Sequence, residues 1–198
     1  TNGIEYFSII IFNSFSAPES LQPCPIKNKG LLHRYEKTLE FMEDCVPTNS
    51  KILDIGIRNP FCELIEKKGH SVDNTTFGID LDLEYDQVKQ PGYDVVTAFE
   101  IFEHLVSPFP LLKAIESDKL VASVPLKLWF ASAYWSETDP YDRHYHEFEP
   151  RQFDMLLEKA GWVIKKHELW NPYTKGFGIR PLLRKFTPRY YIVYCERK

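Results

Sequence analysis

The chain has 198 residues, a formal net charge of -4, 26% charged and 43% hydrophobic residues, a balance that fits one globular core and excludes a disordered or membrane-embedded chain. The acidic balance argues against nucleic acid as a partner, since phosphate backbones are tracked by basic surfaces; Arg180, Arg184, Lys185 and Arg189 form a local basic patch against that trend. Cys24, Cys45, Cys62 and Cys195 are scattered, without a Cys-x-x-Cys pair or a His at ligand spacing, so they read as reduced and structural and no metal site is expected.

Residues 1–30 hold Pro18, Pro23 and Pro25 among Ser, Asn and Gly and read as an irregular arm whose apolar start, YFSIII, is available to pack on the body or in a homodimer. Its Ile9 to Phe12 stretch is too short to span a bilayer and lacks the flanks of a signal peptide, so no membrane is expected and the cytoplasm is the default location. From residue 31 to 198 one domain is expected. Leu32, Tyr35, Leu39 and Met42 recur at helical spacing up to Pro47. KILDIG (51–56) is a buried-strand pattern ending in glycine, followed by a helix from Pro60 to Lys68 that stops at Gly69. FGIDLD (77–82) and YDVVTAFE (93–100) read as further strands, and their near-continuous apolar runs suit parallel strands covered on both faces. A helix after Ser107 and Pro108 leads to the strand KLVASVP (119–125). An aromatic connection over 126–149 precedes a helix from Pro150 to Gly161. WVIKKHEL (162–169) and YYIVYCER (190–197) close the chain as two strands joined by a Gly/Pro-rich connection. Repeated strand and helix alternation with a terminal strand pair predicts an α/β, Rossmann-like doubly wound sheet of about six or seven mostly parallel strands with an antiparallel last strand.

Ligands of such sheets sit beyond the carboxyl ends of the strands, where strand order reverses. The loops after Asp54, Asp80 and Glu100 are therefore the first candidates for a site. Gly56 permits close backbone approach, and the next helix N-terminus offers free amides. The loop DIGIRNPF nevertheless lacks the glycines of a dinucleotide fingerprint.

In order along the chain, LDIGIRNPF, GIDLD, YDVVTAFEIFEHL and HEFEPRQFDMLLEKAGW resemble class I S-adenosylmethionine-dependent methyltransferases, most closely their small-molecule branch, over about Ile52 to Trp162. The resemblance implies S-adenosylmethionine as cofactor. It places Asp54 and Gly56, with the adjoining Ile57 and Arg58, under the methionine moiety, and gives Asp80 the ribose hydroxyls. Glu100 and Ile101 would flank the cofactor, with Glu103 and His104 close by. A carboxylate suits the ribose because it only accepts hydrogen bonds, and acids suit a cationic sulfonium.

The sequence departs from that family at two points. Arg58 stands where such loops often have glycine, with a side chain long enough to fill part of the pocket or to reach the cofactor carboxylate. Only twelve residues separate Asp80 from Tyr93, too few for the usual crossover, so one segment is shortened between the second and fourth strands of the family pattern. The alternative is that SVDN (71–74) ends the second strand and FGIDLD is the third; Asp73 would then take the ribose and Asp82 approach the adenine.

Residues 126–149 carry Trp129, Phe130, Tyr134, Trp135, Tyr141, Tyr145 and Phe148 and read either as a cover over the substrate or as a hydrophobic cluster. His144, His146 and, after the strand, His104 are the acid/base candidates, each also open to a purely structural role. The expected activity is methyl transfer to an unidentified small-molecule acceptor. Competing readings are a non-catalytic binding or scaffold protein on the same fold and a nicotinamide oxidoreductase, which would need the missing glycines.

Overall fold

The computed structural model describes residues 28–76, 78–139 and 142–198; the expectations for the arm's packing and for a dimer through it lie outside these residues. Helix α1 (Lys29–Cys45) begins inside the stretch assigned to the arm, because the Asn28 side chain accepts from the amides of Gly30 and Leu31. That N-cap satisfies donors the first turn would otherwise leave bare. Then follow β1 (Lys51–Asp54), α2 (Pro60–Lys67), β2 (Ser71–Asn74), β3 (Val95–Phe99), a 3-10 turn (Phe102–His104), α3 (Pro108–Ala114) and β4 (Lys119–Pro125). After the aromatic connection come α4 (Pro150–Ala160), β5 (Trp162–Trp170), α5 (Ile179–Phe186) and β6 (Tyr190–Arg197).

The strands form one sheet of order β2-β1-β3-β4-β6-β5. The pairs β1 with β2, β1 with β3 and β3 with β4 are parallel, whereas β6 lies antiparallel to both β4 and β5. Alternate residues of each strand serve opposite faces. Leu53, Val96, Leu120 and Val193 join Leu112, Phe153, Leu157 and Trp162 on the α3/α4 side. Ile52, Val95, Val121 and Ile192 join Phe41, Phe61 and Ile65 on the α1/α2 side. Both faces of the sheet are thus buried beneath helices, as the continuous apolar runs required.

Two expectations are corrected. Residues 78–82 of FGIDLD form no strand: Gly78 takes φ 85°, Asp80 Oδ1 accepts from the Asp82 amide, and the Asp80 carbonyl accepts from the amides of Leu83 and Glu84. An aspartate that bonds its own backbone two residues on makes a turn, whatever the apolar letters around it. SVDN is the second strand, as the alternative had it, and the segment from 75 to 94 contains no helix or strand among its described residues, so the sheet has six strands. This segment is nonetheless anchored: Val88 is buried, its carbonyl accepts from the Glu116 amide, and the Thr76 amide donates to Gln87 Oε1 at 2.6 Å.

The second correction concerns the Gly/Pro-rich connection, which contains α5. Pro181 falls in its first turn, where no intrahelical donor is lost. Ile179, Leu182, Leu183 and Phe186 recur at helical spacing, but Gly176, Gly178, Pro181 and Pro188 around them read as a loop, and none of the helix's residues is buried. Among the described residues no helix is long and apolar enough to cross a membrane.

Candidate functional site

Strand order reverses between β1 and β3, and a cleft of about 740 Å³ opens beyond their carboxyl ends, walled by α1, the loop after β1, the segment after β2 and the turn after β3. Asp54 closes β1 at its floor. Thr97 Oγ1 donates to Asp54 Oδ1 at 2.6 Å and Asn74 Nδ2 to Oδ2 at 3.2 Å. Burial pushes the Asp54 carboxyl up to about 6, against the lowering by the Thr97, Cys62 and Asn74 hydrogen bonds. Two good donors do not compensate for lost water around a buried anion.

Gly56 adopts φ +131°, and a Cβ there would lie 3.5 Å from Ile101 Cδ1. Its amide donates to Thr75 Oγ1 at 2.9 Å, tying the loop after β1 to the end of β2. Space is not limiting, but the backbone conformation is one that side chains avoid. Gly56→Ala is therefore expected to cost about 1–2 kcal/mol, lowering the melting temperature by a few degrees in a thermal denaturation scan.

Glu100 follows β3 directly, in the left-handed region at φ 57°. Ser123 Oγ donates to its Oε1 at 2.8 Å, and the Arg34 guanidinium of α1 approaches Oε2 at 3.5 Å. Burial is the largest single influence and works against the Arg34 charge, but Glu100 together with Tyr190, Tyr35 and Glu103 outweighs it, leaving the guanidinium pKa raised. Arg34 and Tyr35, which also borders the cleft, were missed by sequence reasoning. The helical spacing made Tyr35 a core residue, and nothing near Arg34 in sequence announces its partner on β3.

The other predicted residues are distributed as follows. Ile57, Arg58, Asp80, Asp82 and Ile101 all border the cleft. Arg58 does not plug it: its guanidinium turns back to Glu66 of α2 at 2.5 Å. The Asp82 carboxylate accepts from the amides of Val106 and Ser107 at 2.9 and 2.8 Å, securing the start of α3. Asp73 is not part of the cleft lining; its Oδ2 accepts from the Tyr93 hydroxyl at 3.0 Å. His104 borders the cleft, with its ring 4.9 Å from that of His144. His146 is not brought to this cleft; its Nε2 contacts the Val106 carbonyl at 3.2 Å and its ring stacks on Phe148. Within the described part of the aromatic connection, Tyr145 borders the cleft, Phe148 joins the core, and Trp129 and Trp135 are exposed. The amides of Tyr145 and His146 both donate to the Glu103 carbonyl, which fixes the connection to the turn after β3.

The geometry offers two buried carboxylates, a bare glycine backbone and apolar walls such as Ile101 and Phe99, a set suited to a cationic ligand with an apolar or heteroaromatic body. A family profile described as "Methyltransferase domain" matches residues 28–167. Similar solved structures include an S-adenosylmethionine-dependent methyltransferase from Mesorhizobium loti (14% identity, 85% of this chain and 98% of that one, TM-score 0.54) and one from Archaeoglobus fulgidus (16%, 86% and 100%, 0.52). The 1,6-didemethyltoxoflavin-N1-methyltransferase of Burkholderia thailandensis, solved with 1,6-didemethyltoxoflavin and S-adenosylhomocysteine bound, is also similar (12%, 83% and 78%, 0.52). At these identities the likeness concerns the fold. No curated protein matches the chain.

Proposed function

The chain belongs to the class I S-adenosylmethionine-dependent methyltransferase family, and from that premise we propose that the cleft beyond β1 and β3 binds S-adenosylmethionine and directs its methyl group to a small-molecule acceptor. The observation that carries this reading is the pairing of two buried carboxylates, Asp54 and Glu100, with the open Gly56 backbone around one cleft at the point where strand order reverses. When bound, S-adenosylmethionine supplies an electrophilic methyl group on a sulfonium.

The residues present fit that cofactor. Asp54 and Gly56 hold the methionine end, where the carboxylate faces cationic groups. Asp80 takes the ribose in preference to Asp73, because it borders the cleft and its Oδ2 carries no hydrogen bond among those described. Ile101 and Phe99 supply apolar contact. Arg58, drawn aside by Glu66, leaves the entrance open, which removes one argument for a non-catalytic scaffold. The acceptor enters beside Tyr145. Positioning of two reactants and exclusion of water account for much of the acceleration in a displacement of this kind, so the chain needs no covalent nucleophile.

The direct test is calorimetric titration with S-adenosylmethionine and S-adenosylhomocysteine. Saturable binding is expected, and the absence of binding at millimolar ligand sinks the reading. The pH dependence has a defined sign. A cationic ligand prefers ionised Asp54, whose pKa is about 6. Affinity for S-adenosylmethionine is expected to hold above that value and to fall about tenfold for each unit of pH below it; an affinity unchanged between pH 7.5 and pH 5 would show that Asp54 does not face the ligand's charge.

A further inference from the structure

A second group of polar side chains lies in the turn after β3 and the aromatic connection, and reaches the cleft through His104. One ligand atom from each of Glu103, His104 and His144 falls within 4.8 Å of the others. Glu103 is 1% exposed. Its Oε2 and the Nε2 of His104 are both buried with no hydrogen-bond partner.

The opposite nitrogen of each imidazole is held. His104 Nδ1 lies 3.2 Å from the Arg143 carbonyl, and His144 Nδ1 lies 3.0 Å from Glu147 Oε1. A nitrogen facing a carbonyl or carboxylate oxygen must be the one that carries the proton. Both Nε2 atoms therefore present bare lone pairs. His104 Nε2 stands 3.7 Å from Glu103 Oε1, beyond hydrogen-bond reach, so neither side chain satisfies the other. Leaving buried polar atoms without partners is costly.

The geometry points to a divalent cation site formed by Glu103, His104 Nε2 and His144. A cation takes both orphaned atoms as ligands at once. The Nδ1 contacts to Arg143 and Glu147 are the outer-shell partners that fix ring orientation and tautomer in metal-binding histidines. Two imidazoles and a carboxylate suit zinc and its first-row neighbours. Ligands of one ion with bonds of about 2.1 Å stand about 3–4 Å apart, so a modest rotation of these side chains completes the site. Three protein ligands leave coordination positions open beside the cleft that His104 borders.

The test uses neither cofactor nor acceptor, so its failure leaves the methyltransferase reading standing, and the reverse holds too. Purified full-length chain is stripped with a chelator, dialysed and titrated calorimetrically with zinc, manganese and magnesium chloride in separate runs. Cobalt(II) absorption serves as a second readout. Saturation at one equivalent is expected for at least one of these ions, with a rise in melting temperature. His144→Ala, which alters the connection rather than the core, is expected to weaken binding at least tenfold, while His146→Ala retains it. If the stripped wild type takes up none of the ions saturably, or if the His144 variant binds like wild type, the site is refuted; Glu103→Gln adds to the case only if it folds.

Discussion

Replacing Asp54 with asparagine is expected to weaken S-adenosylmethionine binding by about 10- to 100-fold, the range for one charge-assisted contact, while leaving the ligand-free protein at least as stable at neutral pH. Both effects come from the same burial. The folded-state pKa of Asp54 is raised to about 6 from an ordinary 3.8, so the folded state holds this proton more tightly than the unfolded chain does. The resulting stability is fully present below about pH 4 and is lost as pH rises toward 6. Above that, an ionised Asp54 costs the fold on the order of 3 kcal/mol. Asparagine has the same shape without the charge. Its oxygen can accept from Thr97, and its amide can donate to Asn74 once that side chain turns over, since Asn74 Oδ1 is buried without a partner. Urea denaturation at pH 7.5 should place the variant's midpoint at or above that of the wild type. The advantage should vanish near pH 4, where wild-type Asp54 is protonated. A variant that is less stable at pH 7.5, or one that binds the cofactor as tightly as wild type, contradicts the role given to Asp54.

Much of this architecture was legible in the sequence because a sheet buried on both faces writes itself as apolar runs. KLVASVP and YYIVYCER coincide with β4 and β6, and the Pro150 and Gly161 signals bracket α4, whose cap Gly161 sits at φ 95°. FGIDLD has the letters of a strand, yet neighbouring backbone is what makes a strand. With β1 already paired to β2 and β3, β2 left as the edge and Asp80 turning its own chain, the segment became a loop lining the cleft. Asp80 consequently reached the cleft by a route other than the one predicted. Asp54, Gly56 and Glu100 were expected at the cleft and border it, because strand ends at a switch point are predictable positions. Arg34 was not, because a long side chain on a helix meets a partner 66 positions away, and no local pattern encodes that encounter. The cation cluster was hidden for the same reason: Glu103 and His104 are adjacent, but His144 arrives from the far end of the aromatic connection.

The Arg34 and Glu100 pair carries the largest expected effect on stability. The two side chains are only 15% and 6% exposed and lie 3.5 Å apart, with the guanidinium also about 6 Å from the Tyr35 and Tyr190 rings. A buried pair gains little over a well-packed apolar pair, but removal of one partner strands the other charge. Arg34→Met, which keeps the stem and deletes the charge, is expected to cost about 3–5 kcal/mol, enough to threaten folding in a protein of ordinary stability. The loss falls on Glu100, which then stands beside Glu103 without its guanidinium partner. Glu100→Gln in the Arg34→Met background removes the stranded charge, while its side-chain oxygen still accepts from Ser123. The double variant should regain a large part of the loss, and denaturant midpoints of the four proteins in the cycle measure that coupling. Since α1 touches β3 through this pair at the cleft, the single Arg34 variant should also bind S-adenosylmethionine more weakly at a concentration where it remains folded. Additive losses in the double variant would mean that the two charges do not depend on one another, and that α1 is held over the cleft by its apolar contacts alone.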